Sequence, residues 1–459
     1  LQLTKTFAKN FLSTVSTLNN TEGKNMDINA YFKIKEKGST IRTEVLAGIT
    51  TFMTMAYILA VNPSILSAAG MDASSVFAAT ALSSAIATAI MALYANLPVG
   101  LAPGMGLNAF FAFSVCLGMG YSWQFALTAV FLEGLIFILL TITNLREAIL
   151  NCIPFDLKKA ISAGIGLFIA FIGLQGSGIV IDNPATLVSM GNITSPNAIV
   201  TIIGLFAVSV MLIYKIRGAL LYGILFATVI GAFLGVTKLD TLSASSFLTL
   251  PSFAPTFWQF DFSQVFTTDM LFVLTTFLFV DLFDTVGTLV GVATKGNLLD
   301  KDGRLPEAKQ AFLADAMGTC IGAVLGTSAV TSYVESASGV AAGGRTGLTA
   351  LVIAVFFFIS LLLAPIFLLI PSAATAPALI VVGLFMISPI KEIDFDNFSV
   401  SIPVFITIIG MPLTYSIAHG IAWGVISYVI INISMGKFKE IHPLTYILAL
   451  LFIAKFIIE

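Results

Sequence analysis

The sequence predicts an all-α polytopic membrane protein of about fourteen transmembrane segments, arranged as seven plus seven. Three observations carry this. The 459 residues are 58% hydrophobic and only 10% charged, against roughly 25% charged residues in soluble proteins. Apolar runs of about 17 residues or more recur along almost the whole chain. The lysines and arginines fall almost entirely on one side when the runs are counted as crossings. A β-barrel would alternate apolar and polar positions, and this chain does not. The net charge of −2 argues against a nucleic-acid partner.

The runs lie near 45–62, 76–96, 103–120, 123–143, 159–176, 198–214 and 219–236, then near 269–294, 309–326, 328–343, 347–370, 374–389, 401–413 and 417–434. The third, tenth, thirteenth and fourteenth are short or rich in Gly, Ala and Ser. A tail at 443–458 is apolar but short for a crossing, so it is expected to lie in the interface. Residues 1–25 are polar and lack the order of a signal peptide. They precede Met26 and a basic entry, and are expected to form an extension outside the functional fold.

Three of the 22 Lys and Arg (Lys5, Lys9, Lys24) precede Met26. With a cytoplasmic N-terminus and fourteen crossings, 17 of the remaining 19 fall on the cytoplasmic side. Lys238 falls outside and Lys455 lies in the tail. This predicts a multi-pass plasma (inner) membrane protein with both termini cytoplasmic.

The first run of each half carries a related stretch, TTFMTMAYI from Thr50 and TTFLFVDLF from Thr275. Seven is odd, so the second half would enter from the opposite side, as in inverted-repeat transporters. Segments 3 (LAPGMGLNAFFAFSV) and 10 (TSAVTSYVESASGVAAGG) occupy equivalent places. Their Gly and small polar residues predict interrupted helices or extended strands. Such backbone is tolerated at membrane depth only where protein or water surrounds it, and paired interruptions point to a binding site.

Five acids fall within the runs: Glu133, Asp281, Asp284, Asp315 and Glu335. Asp281 and Asp284 are three apart on one helix, so they share a face. Acids at membrane depth are functional by default; the bland alternative is a hydrogen bond to a broken neighbouring helix. Glu335 reads likewise. Glu133 is open between a helix–helix hydrogen bond and proton movement, and Asp315 between a cap and a functional acid. No Lys or Arg sits mid-run, which disfavours phosphate or nucleotide cargo. Acceptors with Asn108, Thr285 and Ser336 nearby suit a neutral or cationic ligand bearing N–H donors. Phe110, Phe111, Phe279 and Phe283 can flank a flat ring. Carboxyl groups at this depth offer a route to proton coupling, with Na⁺ left open. Cys116, Cys152 and Cys320 have no CxxC spacing and read as inert apolar side chains. His419 and His442 are too few for a histidine metal site, and no metal or organic cofactor is expected.

Four stretches carry a resemblance: TEVLAGITTFMTMAYILAVNP, LAPGMGLNAFFAF, FVDLFDTVGTLVGVA and TSYVESASGVAAGGRTGLTA. They resemble the AzgA-like purine permeases of the nucleobase–cation symporter superfamily, from about Tyr31 to the end of segment 14. The resemblance implies a uracil-permease-like core domain (segments 1–4 and 8–11) and gate domain (5–7 and 12–14), with short strands in segments 3 and 10. The expected boundaries are 1–40 for the extension, 41–145 and 266–371 for the core, 146–265 and 372–436 for the gate, and 437–459 for the tail.

The resemblance also implies substrate contacts at Asp281, Glu335, Asn108, Ser336, Thr285, Ala56 and Phe279, and proton coupling by Asp284, Glu335 and Asp281. The uracil branch has a histidine four residues after its segment-8 acid, where this chain has Thr285. The implied function is import of purine nucleobases, guanine or hypoxanthine, by proton symport and alternating access, with a homodimer common in the superfamily. An adenine permease is the alternative. Guanine presents N1–H beside an exocyclic amine, which one carboxylate can accept together. An intramembrane aspartyl protease would need its acids on two facing helices with a GxGD-like motif, which is lacking here. A rhomboid-like serine enzyme would need a GxSG motif. A passive channel would not accumulate its solute.

Overall fold

The computed structural model describes residues 28–143, 154–239, 250–301 and 304–458. The expectations for residues 1–25, Arg146 and Cys152 lie outside them. After one helical turn at Ile28–Tyr31 come α1 (Ile41–Ala68), α2 (Ala73–Ala95), β1 (Leu101–Pro103), α3 (Met105–Gly118), α4 (Trp123–Ile142) and α5 (Phe155–Gly176). The β2–β3 hairpin (Val180–Asn183, Leu187–Met190) leads to α6 (Pro196–Ile213) and α7 (Ala219–Phe233). Next are α8 (Thr268–Gly296), α9 (Ala308–Leu325), β4 (Val330–Ser332) and α10 (Ser336–Ala341). Then follow α11 (Gly347–Leu368), α12 (Ser372–Glu392), α13 (Phe398–Leu413), α14 (Ile417–Ser434) and α15 (Pro443–Ile458).

Among the described residues, nine helices are long and apolar enough to cross a membrane: α1, α2, α4, α5, α6, α8, α11, α12 and α14. Their starts are set by side chains that accept the free N–H groups of the first turn. Thr40, Asp72, Ser122, Ser195, Thr267 and Ser416 do this for α1, α2, α4, α6, α8 and α14. α1 is interrupted at Ala56–Tyr57, ahead of Pro63.

Segments 3 and 10 each begin with three extended residues, and these pair antiparallel: Leu101 with Ser332, Ala102 with Thr331, Pro103 with Val330. A two-stranded ribbon buried on all sides must find partners for its outer backbone groups. Threonines on the preceding helices supply them. Thr88 Oγ1 donates to Leu101 O at 3.0 Å and accepts from Leu101 N at 2.9 Å. Thr319 Oγ1 donates to Val330 O at 2.9 Å. Asp315 Oδ1 accepts from both N and Oγ of Ser332 at 2.8 Å.

The helices pack in two groups. In one, α1 packs on α10 and α11, α2 on α9 and α11, and α4 on α8 and α9. In the other, α5 packs on α12, α13 and α14, and α6 on α7 and α12. Gly166 and Gly383 let α5 and α12 touch backbone to backbone: a Cβ at Gly166 would lie 2.6 Å from Gly383 O.

Polar contacts gather at two opposite faces. One holds Lys37–Glu307 at 3.2 Å, Asn96 Nδ2 to Phe32 O at 3.1 Å and Lys159–Glu392 at 3.3 Å. The other holds Tyr121 donating to Asp269, and Tyr415 donating to Gln175 at 2.9 Å.

One feature adds to the sequence expectations and one departs from them. The connection 177–197 carries the β2–β3 hairpin. The tail 443–458 is not a surface-lying segment but a helix, α15, packed on α14 and α8. It starts at the first face, where Tyr446 donates to Phe438 O at 3.0 Å. It finishes at the second, where Lys455 Nζ meets Asp269 Oδ1 at 2.5 Å and the Phe456 ring lies 5.5 Å from His419. Leu448, Ala449, Phe452 and Lys455 are buried. That stripe at positions i, i+1, i+4 and i+7 gives the helix an inward face, which explains why it docks.

Candidate functional site

A cavity of about 900 Å³ lies between the two helix groups. Its inner end is built where the chain departs from regular helix. Glu335 stands between β4 and α10, Tyr57 at the break of α1, and Gly104 to Leu107 at the junction of β1 and α3. α8 supplies Val280, Phe283, Asp284 and Gly287. The cavity extends to the first polar face, where Lys158, Lys159, Lys295 and Glu392 line it. Phe283 stacks on Phe279 with ring centroids 5.8 Å apart, and Lys158 Nζ stands 5.3 Å over the Phe283 ring.

The Tyr57 hydroxyl donates to Glu335 Oε1 at 2.9 Å. A carboxylate can accept several further hydrogen bonds, so this contact orients Glu335 without saturating it. Tyr333, the other cavity phenol at this level, donates to Pro103 O at 2.5 Å and holds β1. Thr54 and Ser338 face each other across the cavity wall at 3.0 Å.

The structure separates the residues singled out from sequence. Glu335 and Asp284 line the cavity. Asp281 does not, so the structure does not bring it together with Glu335 in the wall of this cavity. Three residues on a helix differ by about 60° around the axis, and the stripe exposed to the cavity is that of Asp284. Asp281 turns instead towards Glu133 on α4 and Asp315 on α9 and is fully enclosed.

The remaining five also lie outside the cavity wall. Thr285 donates to Asp315 Oδ2 at 2.8 Å and contacts Thr331 Oγ1 at 2.8 Å, tying α8 to β4 and α9. Ser336 Oγ accepts from Gly100 N at 3.0 Å. Asn108 accepts from Ser328 and donates to Pro103 O at 3.4 Å, bracing both broken segments. Ala56 is the buried C-cap of the first half of α1, its N–H on Phe52 O. Phe279 backs Phe283 from behind. Asp315, left open between two roles by the sequence, holds β4 in place. Tyr57 and Tyr333 were not anticipated at all. Tyr57 lies in the TTFMTMAYI stretch, so the motif held its signal.

The arrangement can accept N–H donors from a flat polar solute, pack its faces against Phe283 and aliphatic walls, and admit it from one face. Known proteins bear on which solute. Residues 42–423 match the family model described as Permease family. The chain is 48% identical to the guanine/hypoxanthine permease PbuG of Bacillus subtilis, over 93% of this chain and 99% of that protein. It is 42% identical to the adenine permease AdeP of Escherichia coli, over 95% and 97% of the two chains. Among solved structures it is similar to the transmembrane domain of the cyanobacterial bicarbonate transporter BicA, with a TM-score of 0.58 at 18% identity, covering 85% of this chain and 96% of that one. That likeness concerns the fold alone. The matched span runs through every element of the cavity, so this multi-pass membrane protein belongs to the Permease family.

Proposed function

We propose that the protein is a secondary active transporter importing purine nucleobases across the plasma membrane by proton symport, with guanine and hypoxanthine as its first substrates. The observation that carries this is the pair of carboxyl groups, Glu335 and Asp284, at the inner end of one large cavity. The N1–H and exocyclic amine of guanine suit one carboxylate, and a protonated second carboxyl can donate to a ring acceptor. The first-turn N–H groups of α3 at Gly106 and Leu107 suit the ring carbonyl. The relative PbuG carries these two bases in its name. AdeP keeps adenine as the second reading. Adenine places an amine donor beside an acceptor, so it needs a protonated carboxyl opposite N1.

Fourteen crossings in two inverted sevens, α1–α7 and α8–α14, fit the placement of the elements. Thr88 on α2 braces β1 as Thr319 on α9 braces β4, an equivalence expected of inverted repeats. The packing groups correspond to a core (α1–α4, α8–α11) and a gate (α5–α7, α12–α14). The cavity between them is lined at its mouth by Lys158, Lys159 and Lys295. By the positive-inside rule that mouth is cytoplasmic, so this is an inward-open arrangement. Rocking of the core against the gate would expose Glu335 and Asp284 to the other side. Na⁺ is the competing coupling ion. A whole-cell uptake panel of purines and pyrimidines, with the proton and sodium gradients collapsed in turn, tests the reading. Uptake of no purine, or uptake indifferent to an uncoupler, would sink it.

A further inference from the structure

Glu133 has no part in the reading above. It lies on α4, fully enclosed, beside Gly134, which brings α4 against α9: a Cβ there would lie 2.7 Å from Cys320 Sγ. Its carboxyl group faces that of Asp281 on α8. Among the described residues, neither oxygen of Glu133 nor Asp281 Oδ2 receives a hydrogen bond from a protein donor. Asp281 Oδ1 is approached by Thr285 at 3.4 Å, whose single hydroxyl hydrogen has a nearer acceptor in Asp315 at 2.8 Å, and the Thr331 hydroxyl also hydrogen-bonds the Asp281 carboxyl group. Among the described residues, the titratable groups facing the pair are Asp315 and Cys320 from α9 and Asp284 from α8, and no cation is among them.

Two ionised carboxylates cannot remain face to face in such an enclosure without a cation or a donor. The smallest change that satisfies both is one proton: the O–H of one acid donates to an oxygen of the other, the pair carrying a single negative charge. We propose that Glu133 and Asp281 hold one proton between them, and that Glu133 is a positioning residue for the coupling proton, one layer behind the substrate cavity. Asp281 and Asp284 are three residues apart on α8, and the charge of Asp284 bears on Asp281, which puts the pair within electrostatic reach of the cavity wall. The proton leaves the pair as H⁺ and no covalent bond to the solute forms. The role in coupling rests on the symport reading; the existence of the shared proton does not.

The test uses the full-length protein in proteoliposomes, with Glu133→Gln, Glu133→Asp and Asp281→Asn. Infrared spectra with exchange into D₂O should show a protonated-carboxyl band in the unaltered protein that Glu133→Gln and Asp281→Asn each remove and Glu133→Asp keeps. Hypoxanthine accumulation driven by a pH gradient should fall about tenfold more than hypoxanthine counterflow in Glu133→Gln, within the range of coupling between two ligands. Survival of the band in both variants, or its absence from the unaltered protein, overturns the shared proton. Equal loss of accumulation and counterflow overturns the positioning role. An unaltered protein that ignores the pH gradient instead overturns the symport reading, and the infrared result still decides the pair.

Discussion

Tyr57 on the broken first helix donates its phenol hydrogen to Oε1 of Glu335 on the broken tenth segment, at 2.9 Å. The two residues are far apart in sequence, and both stand at interruptions of their segments. The contact holds the carboxyl group against the cavity without any cation. Replacing Tyr57 by Phe keeps the ring and removes the donor. A hydrogen bond to a charged group is worth about 1.5–3 kcal/mol, so KM for purine uptake is expected to rise about tenfold or more. Surface expression should be unchanged. Radiolabelled hypoxanthine uptake over a concentration series measures it, and an unaltered KM would show that Glu335 needs no such orientation.

Glu335 and Asp284 should separate by substitution. Glu335→Gln replaces one acceptor oxygen of the carboxylate by an amide NH₂, facing the donor edge of guanine with another donor. Uptake is expected to fall about 100-fold, since a mispaired polar contact in a closed site costs several kcal/mol. Asp284→Asn should lower the maximal rate more than it weakens binding of the same base. Scintillation-proximity binding beside transport would distinguish them. Equal, small effects would move the substrate site elsewhere in the cavity.

Asp315 is expected to behave as a structural acid. Its two oxygens take the N–H and hydroxyl of Ser332 and the hydroxyl of Thr285. Asp315→Ala leaves those donors unpaired in an enclosed site, at about 1–3 kcal/mol for each. The melting temperature of the purified protein in detergent should fall by several degrees, and transport should be lost with it. A stable but inactive Asp315→Ala protein would instead place Asp315 in the chemistry.

The Lys455–Asp269 pair should be coupled. Lys455 is 5% exposed and its partner 29%, so the pair is partly shielded from solvent. Losing Lys455 alone strands a carboxylate, at about 1–3 kcal/mol after allowance for the wetter partner. The double substitution Lys455→Met with Asp269→Asn should recover most of that loss. Thermal melts of the three variants form the cycle, and additive losses would mean that the contact contributes nothing.

An acid external medium should drive accumulation, because an inward proton gradient adds to the purine gradient in symport. Collapsing that gradient should return the internal concentration to the external one. Accumulation that follows sodium and ignores pH would reassign the coupling ion.

Much of the architecture was legible because the bilayer imposes it. Long apolar runs report a single strong constraint, the thickness of the hydrocarbon. Segments 3 and 10 were legible for the opposite reason: their glycines and small polar residues cannot make a good apolar helix. Which face of α8 meets the cavity was not legible. Asp281 and Asp284 carry identical side chains, and only the packing of α4 and α9 decides that the first turns inward. Tyr57 gave no compositional hint, since a tyrosine in an apolar run reads equally well as an interface anchor. The tail misled because its length alone was weighed. Its one cation, Lys455, needed an acid at the far face, and Asp269 at the start of α8 supplies it.

The last described helix therefore returns the chain to the face opposite the one where Ile28 stands. If α15 crosses the bilayer with its neighbours, a protease added on the side opposite the cavity mouth would clip a reporter fused beyond residue 458, contrary to the cytoplasmic C-terminus expected from the lysine count. Because α15 bears on both α14 and α8, it also straps a helix of the α5–α12–α13–α14 group to the helix that carries Asp284. Any rocking of one against the other must either bend this strap or carry it along.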